Sequence, residues 1–342
     1  MNADLLSMFP EELSELCVSL GQPKYRGKQI FEGLYKGIRE ISDFSALPKG
    51  FRDSLSEAAL IPTAKIKRKL VSAIDGTVKY LYELHDNETV ESVFMRYKHG
   101  NTMCISTQVG CRMGCAFCAS TKAGLVRSLY PSEMLLQILE CERDLGERVS
   151  NIVLMGMGEP LDNYENVMKF LRLVNHENGL NIGLRHISLS TCGLVDKIDR
   201  LADEGLQITL SVSLHAPNDE IRKQTMPIAN KWSIEQLISA CKRYTDKTSR
   251  RISFEYALIS GVNDSRENAH ELGKLLSGML CHVNLIPVNP IKEKSFRRSE
   301  KNAIKEFTET VESYKISVTV RRKLGADINA SCGQLRQADS QD

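Results

Sequence analysis

Three cysteines within eight residues, Cys111-Arg-Met-Gly-Cys115-Ala-Phe-Cys118, constrain this chain more than any other feature. They follow a run that reads as a strand, Thr102 to Thr107, so the three thiols leave one short loop at a strand end. A 4Fe-4S cluster ordinarily takes four cysteines; three from one loop hold three irons and leave the fourth open to a ligand of another kind. Structural zinc instead takes four ligands, commonly as separated pairs, and no partner pair of the required spacing exists among the ten cysteines. Cys17, Cys141 and Cys241 fall in apolar helical patterns and read as core thiols.

A chain of 342 residues suits one barrel-like domain with a small accessory domain. With no charged-then-apolar leader and no apolar run long enough to span a bilayer, the expectation is a cytoplasmic enzyme with reduced cysteines and no membrane partner. The net charge of +2 does not by itself demand a polyanionic partner. Its distribution is more informative: Lys24, Arg26, Lys28, Lys36, Arg39, Lys49 and Arg52 are followed by Lys65-Ile-Lys67-Arg68-Lys69, and Arg321-Arg322-Lys323 stands after the last strand candidate. Such clusters either neutralise phosphates or form a solvated face balanced by nearby acids.

The chain is expected to comprise an accessory domain over 1–98, a barrel over 99–321 and a carboxyl-terminal segment over 322–342. Helical spacing runs from Ala3 to Leu20, interrupted by Pro10, and again from Gly27 to Tyr35, before a break at Leu47-Pro48-Lys49-Gly50. Alternation then takes over: Val78, Tyr80, Tyr82 and Leu84 share a strand face, residues 85–88 read as a turn, and Thr89 to Tyr97 returns as a hairpin. Beyond residue 100, strand candidates at Asn151 to Met155, His186 to Thr191, Gln207 to Ser213, Arg251 to Ile259, His282 to Pro287 and Ser317 to Val320 alternate with helical stretches such as Ser132 to Leu145, Tyr164 to Val174 and Asn268 to Leu276. That alternation predicts an α/β fold with a parallel sheet, a partial (β/α)6 barrel behind a helical and β-hairpin accessory domain.

In such a barrel, chemistry sits where strands end. The strand ends here carry Gly156-Met-Gly158-Glu159-Pro160, Ser190-Thr191, Ser213-Leu214-His215 and Asn289-Pro290, all able to hydrogen-bond one shared ligand.

The cysteine spacing, with Phe117 inside it, makes the chain resemble the radical S-adenosylmethionine (SAM) superfamily, in which the open iron chelates SAM. Met155-Gly-Met-Gly-Glu-Pro160, Ser213-Leu-His215, Cys104 seven residues before Cys111, the Pro23 to Gln29 segment and the tail Gly325-Ala-Asp327-Ile-Asn-Ala-Ser331-Cys332-Gly-Gln-Leu335 narrow the resemblance to the RlmN/Cfr family of radical SAM RNA methyltransferases. That resemblance implies one 4Fe-4S cluster on Cys111, Cys115 and Cys118, and SAM held by Gly158, Glu159, Ser190, Ser213, Leu214, His215 and Asn289, with Asn284 a less favoured competitor for the last role. It further implies that Cys332 carries the methyl group, that Cys104 resolves a protein-RNA crosslink through a transient disulfide bond, and that Glu91 accepts a proton. Two SAM molecules are consumed per methyl transferred.

The implied partners are 23S ribosomal RNA, tRNA and an electron donor such as flavodoxin, with the basic amino-terminal module on phosphates. Glu159-Pro160 with Leu161-Asp162-Asn163 looks like the branch that methylates adenine carbon 2; the Cfr branch methylates carbon 8. Readings of another class are a zinc-stabilised RNA-binding protein and a radical SAM activase for a protein partner.

Overall fold

The computed structural model describes residues 2–288 and 296–330. Its amino-terminal part consists of β1 (Ala3–Asp4), α1 (Pro10–Ser19), α2 (Tyr25–Tyr35), α3 (Lys49–Ala58) and β2 (Ala59–Leu60), the two short strands pairing in parallel. Both prolines read as interruptions turn out to begin helices. Pro10 is the first residue of α1, where a missing N–H costs nothing, and Glu12 closes the turn by accepting from the Phe9 N–H at 2.6 Å. Pro48 occupies the position before α3 in the same way.

Four antiparallel strands follow: β3 (Lys65–Val71), β4 (Val78–Glu83), β5 (Thr89–Tyr97) and β6 (Gly100–Cys104). The strand expected over Thr102 to Thr107 therefore starts and ends earlier. Residues beyond it leave the ladder to form β7 (Gln108–Gly110), which pairs with β8 (Leu125–Ser128) and brackets the cysteine loop.

Next come α4 (Pro131–Leu145), β9 (Asn151–Leu154), α5 (Tyr164–Asn175), β10 (Ile187–Thr191), α6 (Val195–Asp203), β11 (Thr209–Ser213), α7 (Asp219–Thr225) and α8 (Ile234–Thr248). The series ends with β12 (Ile252–Leu258), α9 (Arg266–Leu276), β13 (Cys281–Pro287), α10 (Lys301–Glu312) and β14 (Ser317–Val320).

Strand β6 pairs antiparallel with β5 on one side and parallel with β9 on the other, so antiparallel and parallel parts form one ten-stranded sheet in the order β14-β13-β12-β11-β10-β9-β6-β5-β4-β3. From β6 to β14 every pair is parallel and every connection contains a helix, which gives the six strand-helix units expected from the sequence and a closing strand. With β3 and β14 at opposite edges, the barrel stays open.

The amino-terminal helices pack on the outside of this barrel. Asp4 accepts from the Ser132 hydroxyl at 2.5 Å, Arg39 pairs with Glu140 at 3.1 Å, and Lys169 with Glu12 at 2.8 Å. Leu5, Leu13, Phe31 and Leu55 belong to the same apolar core as the barrel strands. Strands β4 and β5 are buried on both faces because α4 covers one: Tyr80 donates to Asp144 at 2.6 Å, and Tyr82 to the Gln137 carbonyl at 3.1 Å.

The chain after β14 covers the other face. Asp327 accepts from the Ser72 hydroxyl (2.7 Å) and the Ala73 N–H (2.9 Å), while Asp75 accepts from the Gly325 N–H at 2.9 Å. These bonds bring the carboxyl-terminal tail back onto the turn between β3 and β4.

Candidate active site

Cys111, Cys115 and Cys118 stand on a loop fixed at its start and within it. The Cys111 N–H donates to Gly124 O at 2.8 Å, and the Ala116 N–H to Thr225 O, also at 2.8 Å. Burial pushes the Cys111 thiol up to about 12 and raises that of Cys115, and each also feels the charge of its neighbouring thiols. Three such thiolates need positive charge to coexist, which a bound iron-sulfur core supplies. Among the described residues no three His, Cys, Asp or Glu side chains are set to hold one metal ion.

The cysteines line an open cleft at the strand ends, shared with Gly156, Gly158, Glu159, Ser190, Ser213 and His215. The glycines of that loop answer to space. A Cβ at position 156 would meet Ile105 O at 2.6 Å, and Gly158, at φ +102°, lies where a Cβ would meet Gln108 Cβ at 2.6 Å.

Glu159 is fully buried, and burial raises its carboxyl above the usual range. One oxygen accepts from the Leu161 N–H at 3.0 Å and the other from the Cys192 N–H at 2.7 Å, clipping the glycine loop to the end of β10. His215 adopts φ +56° and is buried. Its Nδ1 accepts from the Ala257 N–H at 2.8 Å, which requires the neutral tautomer with the proton on Nε2. Burial, then the nearby Arg222 charge, lower its pKa to about 3. Phe117 of the cysteine loop stacks edge-on against the ring, with centroids 4.6 Å apart.

Leu214 differs from its neighbours: its side chain lies in the core and only its backbone faces polar partners, the N–H donating to Glu255 O at 3.0 Å. Asn284 belongs to a polar network inside the barrel, donating to Glu255 at 2.8 Å and accepting from Thr319 at 3.1 Å. Asn289 and Cys332 lie outside the described residues.

Cys104 lines a second cleft, which shares Met155, Ile286 and Arg321 with the first. Its floor is apolar: Val93, Met95, Cys104, Met157 and Ala330 pack together. Its rim carries Arg298, Arg321, Arg322 and Lys323. Ala330 comes two residues before Cys332, so the tail reaches the Cys104 side of the sheet. Glu91 points to the same face of β5 as Val93, the partner of Cys104 in the ladder. It pairs with Lys79 at 2.7 Å, and Lys79 also donates to Asn329 O at 3.3 Å. Glu91, Cys104 and the tail, brought together on the page of the sequence only by resemblance, are neighbours in space.

Sequence reasoning missed Lys79, Arg222 and Glu255. Arg222 sits in the charged run Asp219-Glu-Ile-Arg-Lys-Gln, indistinguishable there from a solvated helix face. For Glu255 a signal existed: an acid between Phe254 and Tyr256 in an otherwise apolar strand.

Comparison with known proteins bears on the family and the fold. A model of the radical SAM superfamily matches residues 105–273. A probable dual-specificity RNA methyltransferase RlmN from Alkaliphilus oremlandii is 55% identical over 98% of this chain and 97% of its own. One of the same description from Clostridium novyi is 53% identical over 98% of each. The crystal structure of a radical SAM methyltransferase from Sphaerobacter thermophilus superposes with a TM-score of 0.92 at 43% identity, covering 97% of this chain and 99% of the other.

Proposed function

The chain belongs to the RlmN family of radical SAM RNA methyltransferases, and on that premise we propose that it methylates carbon 2 of an adenosine in 23S ribosomal RNA and of an adenosine in the tRNA anticodon loop. Cys332 serves as methyl carrier and Cys104 as the thiol that resolves the crosslink. The observation that carries this reading is the packing of Ala330 with Cys104, in a cleft that shares Met155, Ile286 and Arg321 with the one lined by the three loop cysteines.

When bound, the 4Fe-4S cluster on Cys111, Cys115 and Cys118 supplies the electron that cleaves SAM, with reducing equivalents from a donor such as flavodoxin. The neutral His215 ring, the Ser190 and Ser213 hydroxyls, the Gly158 and Leu214 backbone, Glu159 and Asn289 seat that SAM. Cys332, methylated beforehand from another SAM, would give one methyl hydrogen atom to the 5′-deoxyadenosyl radical released by that cleavage; the thiomethylene radical would add to the adenine carbon, and the adduct would return one electron to the oxidised cluster as the ring C–H proton leaves. The Cys104 thiolate then attacks the Cys332 sulfur, a disulfide forms, and the carbon leaves with the base and takes up a proton. Glu91, held as an acceptor beside the Lys79 ammonium, takes a proton from the adenine at the methylated carbon.

Binding of a nucleotide to this second cleft is supported by its charge. Arg298, Arg321, Arg322 and Lys323 offer cations to phosphates around an apolar floor against which a base drawn out of its stack would pack. The amino-terminal module, basic along Lys65 to Lys69, extends that contact to more distant phosphates.

The test is product analysis. Anaerobically reconstituted protein is incubated with protein-free 23S RNA, reductant and methyl-labelled SAM, and the digested RNA is resolved by chromatography with mass spectrometry. Labelled 2-methyladenosine is expected; 8-methyladenosine would overturn the carbon assignment, and no labelled nucleoside would overturn the substrate.

A further inference from the structure

Arg222, on α7, is the bulkiest fully buried side chain among the described residues. Its polar atoms meet carbonyls only: Nη2 donates to Cys192 O at 2.7 Å and to Ser213 O at 3.3 Å, and Nε to Leu214 O at 3.2 Å. The remaining nitrogen, Nη1, is buried without a hydrogen-bond partner. Of the two acids on its own helix, Asp219 accepts from the Ile234 N–H at 2.8 Å and Glu220 is exposed. No described carboxylate forms an ion pair with the guanidinium. Room has been made for it nonetheless: at Gly193, φ +101°, a Cβ would approach Nη2 to 3.1 Å.

A desolvated cation with no counter-charge costs several kcal/mol, so such an arrangement persists when an anion completes it. The place for that anion follows from the carbonyls. Cys192 and Ser213 line the cleft together with Cys111, Cys115 and Cys118. Helix α7 is itself tied to the cysteine loop, since Thr225 O accepts from the Ala116 N–H at 2.8 Å, and a Cβ at Gly114 would touch Pro227 just beyond it at 3.2 Å. A 4Fe-4S cluster held by three thiolates is anionic, and one-electron reduction makes it more so.

We propose that Arg222 is the built-in counter-cation of the cluster, a positioning residue that raises the potential at which the cluster accepts its electron. The electron comes from an external reductant; no proton need move, because the balancing positive charge is already in place. The inference rests on ligation by Cys111, Cys115 and Cys118. It adds to that reading a residue that touches neither substrate nor iron.

The experiment uses the full chain, reconstituted anaerobically with iron and sulfide, as wild type, Arg222→Lys and Arg222→Gln. Iron content and circular dichroism are recorded first. Each protein is then reduced stepwise by dithionite through mediators, and the reduced fraction is followed by electron paramagnetic resonance. At a fixed potential, Arg222→Gln should show at least a tenfold lower ratio of reduced to oxidised cluster, equivalent to about 59 mV for a one-electron couple. Arg222→Lys, which keeps the charge and loses the fork, should stay within about threefold of wild type.

A merely structural arginine would lower iron uptake or thermal stability while leaving the midpoint of the loaded molecules in place. A wild-type midpoint in Arg222→Gln, or an equal shift in both variants, overturns the proposal. Should Arg222→Gln fail to fold, Arg222→Lys decides: a tenfold loss overturns the proposal, and a ratio within threefold supports it. Wild-type protein that takes up no iron removes the ligand assignment and the proposal with it, whereas loaded protein indifferent to residue 222 removes the proposal alone.

Discussion

The two clefts meet at Met155 and Arg321 but are built in opposite ways. The cysteine cleft is assembled from successive strand ends locked by buried bonds: Glu159 holds two backbone N–H groups, Arg222 gathers three carbonyls, and His215 is fixed by Ala257 and Asn263. The Cys104 cleft is assembled from parts distant in sequence. Its floor comes from β5, β6 and Ala330 of a tail held down by Asp327 and Lys79, and its rim from Arg298 and the chain that follows β14. The first arrangement suits a reactive cofactor that must be placed and kept dry; the second suits a large substrate that has to arrive and leave.

That contrast can be broken at four points. The largest effect belongs to Glu159→Ala, which strands two buried N–H donors at about 1 to 3 kcal/mol each, so urea unfolding should show a loss of about 2 to 6 kcal/mol. A loss below 1 kcal/mol would mean that the cysteine cleft is not held by this clip.

Releasing the tail should separate the two halves of the reaction. Asp327→Ala removes its bonds to Ser72 and Ala73, and methyl transfer should fall about 10- to 100-fold while reductive SAM cleavage continues. Parallel loss of both activities would contradict the division of labour between clefts.

Neutralising the rim should touch RNA alone. In Arg322→Ala with Lys323→Ala, the slope of log affinity against log salt should flatten by about 0.7 per cation lost, with stability unchanged within about 0.5 kcal/mol. The smallest effect concerns pH. Because the folded pKa of His215 is depressed to about 3, the ring stays neutral throughout the working range, and SAM cleavage should show no step near pH 6.5 that disappears in His215→Gln. The linkage has a definite sign: as pH falls below about 6.5 the unfolded chain takes a proton that folded His215 refuses, so its contribution to stability declines toward acid.

The cysteine cleft was largely legible in the sequence, because each strand end writes its residues consecutively: Gly156 to Pro160, Ser190-Thr191, Ser213 to His215. The six strand-helix units were legible for the same local reason. What local pattern could not show was the use made of the interior. Glu255 and Asn284 alternate with apolar neighbours along their strands, and only the ladder that sets β12 beside β13 joins them. Still less visible was the Cys104 cleft, where Val93, Cys104 and Ala330 meet across more than two hundred residues of chain. Periodicity carries no information about such contacts; the family resemblance supplied the roles, and the bonds from Asp327 to Ser72 and Ala73 supply the physical means. Proline misled in a simpler way: Pro10 and Pro48 open helices rather than end them, since a proline is tolerated wherever the helix has no N–H to satisfy.

The central reading is that Cys104 attacks the Cys332 sulfur of the tail and so releases the methylated base. It is tested most directly by incubating Cys104→Ala protein, loaded with cluster and SAM, with labelled RNA and reductant, then running a denaturing gel. A labelled band that migrates with the protein, survives denaturation and is absent from the Cys104→Ala, Cys332→Ala double variant is the result expected. Free RNA in every lane, with methyl transfer intact in Cys104→Ala, would contradict the account.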